Sequence, residues 1–106
     1  MALRDESPGD AGKADAAETA ALAAEIGGWD VIDDGMPKLE KHFKFGTFAE
    51  ALAFVNEVGA VAEEHGHHPE ITFTWGAAAV RWWSHSLGGL SRNDFIMAAM
   101  TDALLG

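Results

Sequence analysis

Between Thr47 and Gly66 the apolar residues Phe48, Ala51, Phe54, Val55, Val58, Val61 and Ala62 recur mostly at spacings of three and four, the stripe that an amphipathic helix turns towards a core. Thr47 and Glu50 occupy the two positions of a capping box, in which a hydroxyl and a carboxylate each satisfy one orphan backbone N–H, so the helix opens there. Gly66 is placed to end it after about His65. On both sides of this helix the period falls to two. Leu39, Phe43 and Phe45 alternate with Glu40, His42 and Lys44, with Lys41 the one charged breach of the apolar side, and this predicts a half-buried strand. Trp29-Asp30-Val31 is a shorter strand, joined to it by the turn residues Asp33-Asp34-Gly35-Met36-Pro37. Ile71, Phe73 and Trp75 alternate with Thr72 and Thr74, Gly76-Ala77 can turn, and Ala78, Val80 and Trp82 continue an apolar face, which reads as a hairpin.

Two more helices complete the pattern. Glu18 to about Ile26 is alanine-rich, with Leu22 and Ile26 four apart and Gly27-Gly28 as the stop. After the break at Leu87-Gly88-Gly89, Ser91 stands as N-cap with Asp94 three residues on and Leu90 stapled against Phe95. This last helix is expected to turn Phe95, Ala98, Ala99 and Leu105 towards the core, with Met97 and Met100 nearby. The order α-β-β-α-β-β-α predicts an α+β fold, a four-stranded antiparallel sheet covered on one face by helices. Residues 1–17 are small, polar and acidic, with Pro8, Gly9 and Gly12 close together, and are expected to form a disordered, dispensable acidic tail ahead of a domain over 18–106.

Length and composition narrow the picture. A chain of 106 residues with 48% hydrophobic and 23% charged residues has the balance of one ordinary globular domain. No run approaches the eighteen apolar residues of a membrane span, and the N-terminus has acids rather than an apolar signal region, so a cytoplasmic location and no membrane partner are expected. Without cysteine there are neither disulfides nor thiolate metal sites. The formal charge of −10 is concentrated in residues 1–34, where nine acids face only Arg4 and Lys13. Such a chain repels phosphate backbones, and direct nucleic-acid binding is not expected.

The candidate chemistry lies in Glu63-Glu64-His65-Gly66-His67-His68-Pro69-Glu70, where three of the five histidines fall at the end of a helix. Pro69 biases His68 towards extended backbone, so His67 and His68 point to opposite sides. Three uses fit: acid–base elimination, a metal site drawn from His65, His67, His68 and the glutamates, or a structural cap. One short segment does not easily wrap a tetrahedral ion and no HExxH pair is present, so neither metal nor cofactor is expected. His42 falls on the polar side of its strand and reads as solvated.

The series Phe43-Lys44-Phe45, Phe48, Ala51, Phe54, Ala62-Glu63, His67-His68-Pro69-Glu70, Ser84-His85, Gly89-Leu90-Ser91 and Asp94 resembles the pterin-4a-carbinolamine dehydratase family over roughly residues 20 to 105. Trp29 after a glycine fits as well. The resemblance implies a hydro-lyase that removes water from 4a-hydroxytetrahydropterin, giving quinonoid dihydropterin after an aromatic amino-acid hydroxylase has turned over. It implies His67, His68 and His85 as catalytic residues and Glu63, His67, His68, Pro69 and Asp94 as substrate-binding residues. Asp94 reads equally well as the capping-box carboxylate. On chemical grounds His68 is expected as the acid, His85 as its counterpart across the cleft and His67 as the ring anchor. The family's Thr-His-Asp is Ser84-His85-Ser86 here, Ala77-Ala78-Ala79 replaces bulkier residues, and Trp82-Trp83 replaces a Leu-Thr pair. The family's coactivator and chaperone-like members imply an alternative, a dehydratase-like domain used as a protein-binding or assembly module. A homodimer or homotetramer is expected, both from the resemblance and because four tryptophans on a small domain leave apolar surface to cover.

Overall fold

The structure is a computed structural model and describes residues 2–105. Thr47 accepts from the Glu50 backbone N–H at 3.1 Å and opens helix α2 (Phe48–His65), whose buried residues Ala51, Phe54, Val58 and Ala62 follow the apolar stripe. Its partners are helix α1 (Ala16–Ala23), strands β1 (Asp30–Asp33), β2 (Pro37–Lys44), β3 (Glu70–Thr74) and β4 (Ala77–Trp82), and helix α3 (Arg92–Ala103). The sheet runs in the order β1-β2-β4-β3 with every neighbouring pair antiparallel. Register places Leu39 opposite Trp82, Phe43 opposite Ala78 and Ile71 opposite Val80. One sheet face is therefore apolar, and it meets Phe54, Val58 and Ala62 of α2 and Phe95, Ile96 and Ala98 of α3 in a single core. The predicted four-stranded sheet covered on one face by helices is the observed fold.

The opposite face is held by charge. Glu40, Arg81 and Glu70 lie abreast on β2, β4 and β3, and the Arg81 guanidinium bonds Glu40 at 2.6 Å and Glu70 at 3.2 Å. Burial pushes the Glu40 carboxyl up, but the hydrogen bonds from Arg81 and His42 outweigh it and hold the group below the usual carboxylate range. Lys41, the charged breach in the β2 pattern, does lie on the core side. Its ammonium reaches the rim of the core, where it bonds Asp102 Oδ1 at 2.8 Å and the Gly27 carbonyl at 3.1 Å. The other oxygen of Asp102 accepts from the Trp29 indole at 3.0 Å. The β3–β4 turn closes on Gly76 (φ 73°), where a Cβ would stand 3.0 Å from the Phe45 carbonyl oxygen.

Several expectations are corrected. Residues 2–17 are not a disordered tail. Leu3, in a 3-10 turn over Leu3–Asp5, is buried; Glu6 forms a two-pronged ion pair with Arg92 at 2.9 and 2.7 Å. Gly9 and Asn93 exchange two hydrogen bonds, and the Ala14 N–H bonds the Leu90 carbonyl at 2.7 Å. The helix predicted from Glu18 begins at Ala16, capped by Asp15. The composition of this segment cannot make a core of its own, but anchors spaced along it fit sites that the folded domain supplies. Met1 lies outside the described residues. Leu105 is exposed rather than core-facing, and the tryptophan argument for self-association shrinks, because Trp29, Trp82 and Trp83 are buried and only Trp75, at 68% exposure, stands out. No helix among the described residues is long and apolar enough to cross a membrane.

Two measurements test this docking. Leu3→Ala is expected to cost about 2 kcal/mol in urea denaturation, near the lower end for a buried leucine because a terminal turn can relax; removal of residues 2–11 should cost at least as much, and a truncated chain that melts like the full one would refute it. The Arg92 guanidinium holds the Glu6 carboxyl below its usual range. The stability this pair adds is therefore fully present above the ordinary glutamate pKa and is lost as pH falls through the depressed folded value. The stability gap between the native chain and Glu6→Gln should accordingly close on acidification.

Candidate active site

Helix α2 stops at Gly66, whose left-handed conformation (φ 64°) turns the chain out of the helix after His65. The turn separates the histidines. His65 stays on the last helical turn and faces a depression shared with Val61, Glu64 and Met100, whereas His67 and His68 pass to another cleft. The metal alternative needed His65 beside them, and among the described residues no three His, Asp or Glu side chains converge on one point.

His67 is fixed from two directions. Its ring stacks on the Trp82 indole with centroids 5.8 Å apart and planes 17° apart, and its Nε2 lies 2.7 Å from Asp94 Oδ1. A carboxylate can only accept, so the Nε2 proton belongs to the imidazole. Asp94 is fully buried, and its Oδ2 accepts from Ser84 Oγ at 2.8 Å and from the Ser91 backbone N–H at 2.9 Å. Because the one hydroxyl proton of Ser84 goes to Asp94, the 2.8 Å contact between the two serine hydroxyls is donated by Ser91. Three donors thus compensate one buried carboxylate. Asp94 is the capping-box carboxylate: one oxygen caps α3, while the other meets His67 rather than the open cleft.

His85 is delivered by the β4–α3 connection. The Ser84 N–H bonds the Gly89 carbonyl at 2.8 Å and the Leu87 N–H bonds back to Ser84 at 3.1 Å, folding His85–Leu87 into a 3-10 turn closed by Gly88. The His85 ring lies against Trp83, centroids 4.4 Å apart. Ser86, at the position of the family's aspartate, lines the cleft beside it. His68 is open, with 58% of its side chain exposed and Nε2 at 3.0 Å from Glu63, which is more exposed still at 81%. Such a surface pair restrains the ring only weakly.

His67, His68 and His85 therefore share one cleft of about 470 Å³, with Trp83, Ser84, Ser86, Ser91 and Asn93 among its walls, a size that suits a small heterocycle. Glu63, Pro69 and Asp94 stand behind or beside these residues rather than on the wall. Sequence reasoning missed two tryptophans and one segment of the wall. Trp82 and Trp83 stood out in the sequence only as departures from the family's usual pair, yet each supports a site histidine. Gly9, Asp10 and Ala11 also line the cleft, and nothing in their local pattern announces it.

Comparison with known proteins gives the chain its relatives. Residues 12–104 match the family described as "Pterin 4 alpha carbinolamine dehydratase". A protein of Syntrophotalea carbinolica is 50% identical over 93 residues, covering 87% of this chain and 83% of its own. One from Nitrosococcus oceani is 53% identical over 85 residues, covering 79% and 75%; both are named provisionally for that dehydratase activity. Among solved structures, a transcriptional coactivator/pterin dehydratase from Brucella melitensis superposes with TM-score 0.82 at 28% identity over 89% of this chain and 99% of the other. A pterin dehydratase-like protein identified as a RuBisCO assembly factor in the alpha-carboxysome gives TM-score 0.63 at 33% identity over 74% and 89%. With the family match spanning residues 12–104 and half of the aligned residues shared with a relative over 83% of its length, this chain belongs to the pterin-4a-carbinolamine dehydratase family.

Proposed function

We propose that this protein is a hydro-lyase that dehydrates a 4a-hydroxytetrahydropterin to the quinonoid dihydropterin, regenerating the pterin spent by a hydroxylase. The observation that carries the reading is the convergence of His67, His68 and His85 on one cleft, with His67 locked by a buried carboxylate. In the reaction the ring nitrogen beside C4a pushes its electron pair towards C4a, the C4a–O bond breaks, and the oxygen leaves as water once an acid protonates it. The same nitrogen gives up its proton to a base. Both transfers suit imidazoles and need no redox partner.

Roles follow from how each ring is held. His68, open and only loosely paired, is free to swing its proton to the leaving oxygen. His85, supported on Trp83 across the cleft, takes the ring proton. His67 cannot turn without losing both Asp94 and its stack on Trp82, which suits it to fixing the plane and position of the heterocycle. Glu63 supports His68, and Pro69 stiffens the chain that carries it. The apolar residues left outside, Trp75 at 68% and Phe48 at 45% exposure, support assembly into a homodimer or homotetramer.

The relationship to an assembly factor keeps a second reading open to test, a dehydratase-like domain that acts by binding another protein. A direct dehydration assay separates the two, since a binding module has no need of proton transfer at the histidines.

His68→Ala and His85→Ala should each slow dehydration by about ten-fold to a thousand-fold, within the reach of general acid–base catalysis, while melting is little changed. If both rings act in one step, the double variant should lose much less than the product of the single losses. His42→Ala, on the far sheet face with 70% of its side chain exposed, is expected to be neutral; a crippled His42→Ala beside a normal His85→Ala would overturn the assignment. Asp94→Ala should behave differently from all of these. It leaves Ser84, Ser91 and His67 short of a partner in a buried place, so about 1–3 kcal/mol of stability should go together with activity, read by parallel melting and rate measurements.

A further inference from the structure

The N-terminal segment does more than close the core. Its anchors Arg92 and Asn93 are the first two residues of α3, and the third is Asp94, which holds His67. One turn of helix therefore fixes both the strap and the site histidine in a common frame. Between the Gly9–Asn93 double hydrogen bond and the Lys13–Ser91 bridge, residues 9–11 run along the cleft as the wall not built by the two histidine-bearing loops.

Asp10 is the single acid on that wall. The other two carboxylates near the histidines are already committed, Asp94 to His67, Ser84 and Ser91, and Glu63 to His68. Asp10 has no hydrogen-bonded partner among the described residues, while its neighbour Gly9 is pinned through both its N–H and its carbonyl. The backbone that carries Asp10 is held and its carboxylate is left to a ligand.

Resting on the dehydratase reading above, we propose that Asp10 is a specificity-determining residue which reads the 2-amino and N3–H edge of the pterin ring. That edge presents two donors side by side, and a carboxylate offers two acceptors at matching spacing. Histidine and serine side chains around the rest of the cleft address the half of the molecule where the hydroxyl leaves; the strap addresses the other half. Recognition of this kind discriminates by leaving the wrong edge facing an acceptor it cannot satisfy.

The test is calorimetric titration of two unreactive ligands, pterin and lumazine, which differ in that lumazine has a carbonyl in place of the 2-amino group. The native chain should bind pterin about ten-fold more tightly, the modest factor expected of a charged hydrogen bond at an open site. Asp10→Asn offers one acceptor and one donor, so the preference should vanish or reverse while lumazine binding is retained. Asp10 is exposed, so the variant is expected to fold as the native chain does. Arg92→Ala, which releases the strap at Glu6 without touching the cleft wall, should move the ratio the same way by a smaller factor. A native chain that prefers pterin and an Asp10→Asn chain that prefers it equally would overturn the role of Asp10 and leave the dehydratase reading standing. Equal binding of both ligands by the native chain does the same. A native chain that binds neither overturns both.

Discussion

The buried carboxylate of Asp94 is the constraint on which the rest of the site depends. A carboxylate removed from water is tolerable only when its lone pairs are met by donors, and the three donors it finds come from three different parts of the chain: the imidazole after α2, the Ser84 hydroxyl just after β4 and the backbone N–H of Ser91, the residue that caps α3. Satisfying one charge thus ties together the loop that carries His67 and His68, the turn that carries His85, and the helix that carries Arg92 and Asn93. The histidines are placed by the same interaction that stabilises the fold around them, so small displacements of any one element are felt by all three.

Around that centre the molecule divides its labour by side of the sheet. The helical side holds an apolar core in which two indole N–H groups are compensated, Trp82 by Thr101 and Trp29 by Asp102. The solvent side is held by Arg81 lying between Glu40 and Glu70. The cleft lies where the sheet ends and the loops begin, with aromatic surfaces of Trp82 and Trp83 behind the imidazoles. An apolar backing keeps the rings in place without competing for the nitrogen atoms that chemistry needs.

The acidic N-terminal segment shows how composition misleads when the partner surface is distant in the chain. Nothing in Ala2 to Ala14 has the periodicity of a helix or strand, and its charge and glycine content favour disorder. Its order comes from Leu3 in the core, from Glu6 on Arg92 and from Gly9 on Asn93, pairs separated by more than eighty residues. No local rule links such positions.

What the sequence determined by itself was whatever depends on neighbours a few residues apart. Apolar period, the Thr47–Glu50 and Ser91–Asp94 caps, Gly66 and the turn residues set the elements and their order, because hydrogen bonding and side-chain direction within an element are local. His67 and His68 were legible as candidates through the density of titratable groups at a helix end, and His85 through the resemblance to the family. Only the tertiary structure decided that His65 faces away from them, that Lys41 finds Asp102 at the rim of the core, that Asp94 serves cap and histidine at once, and that Asp10 borders the cleft. Each of those depends on burial and on pairings across the fold, where the cost of an unpartnered charge is settled by groups brought together from opposite ends of the chain.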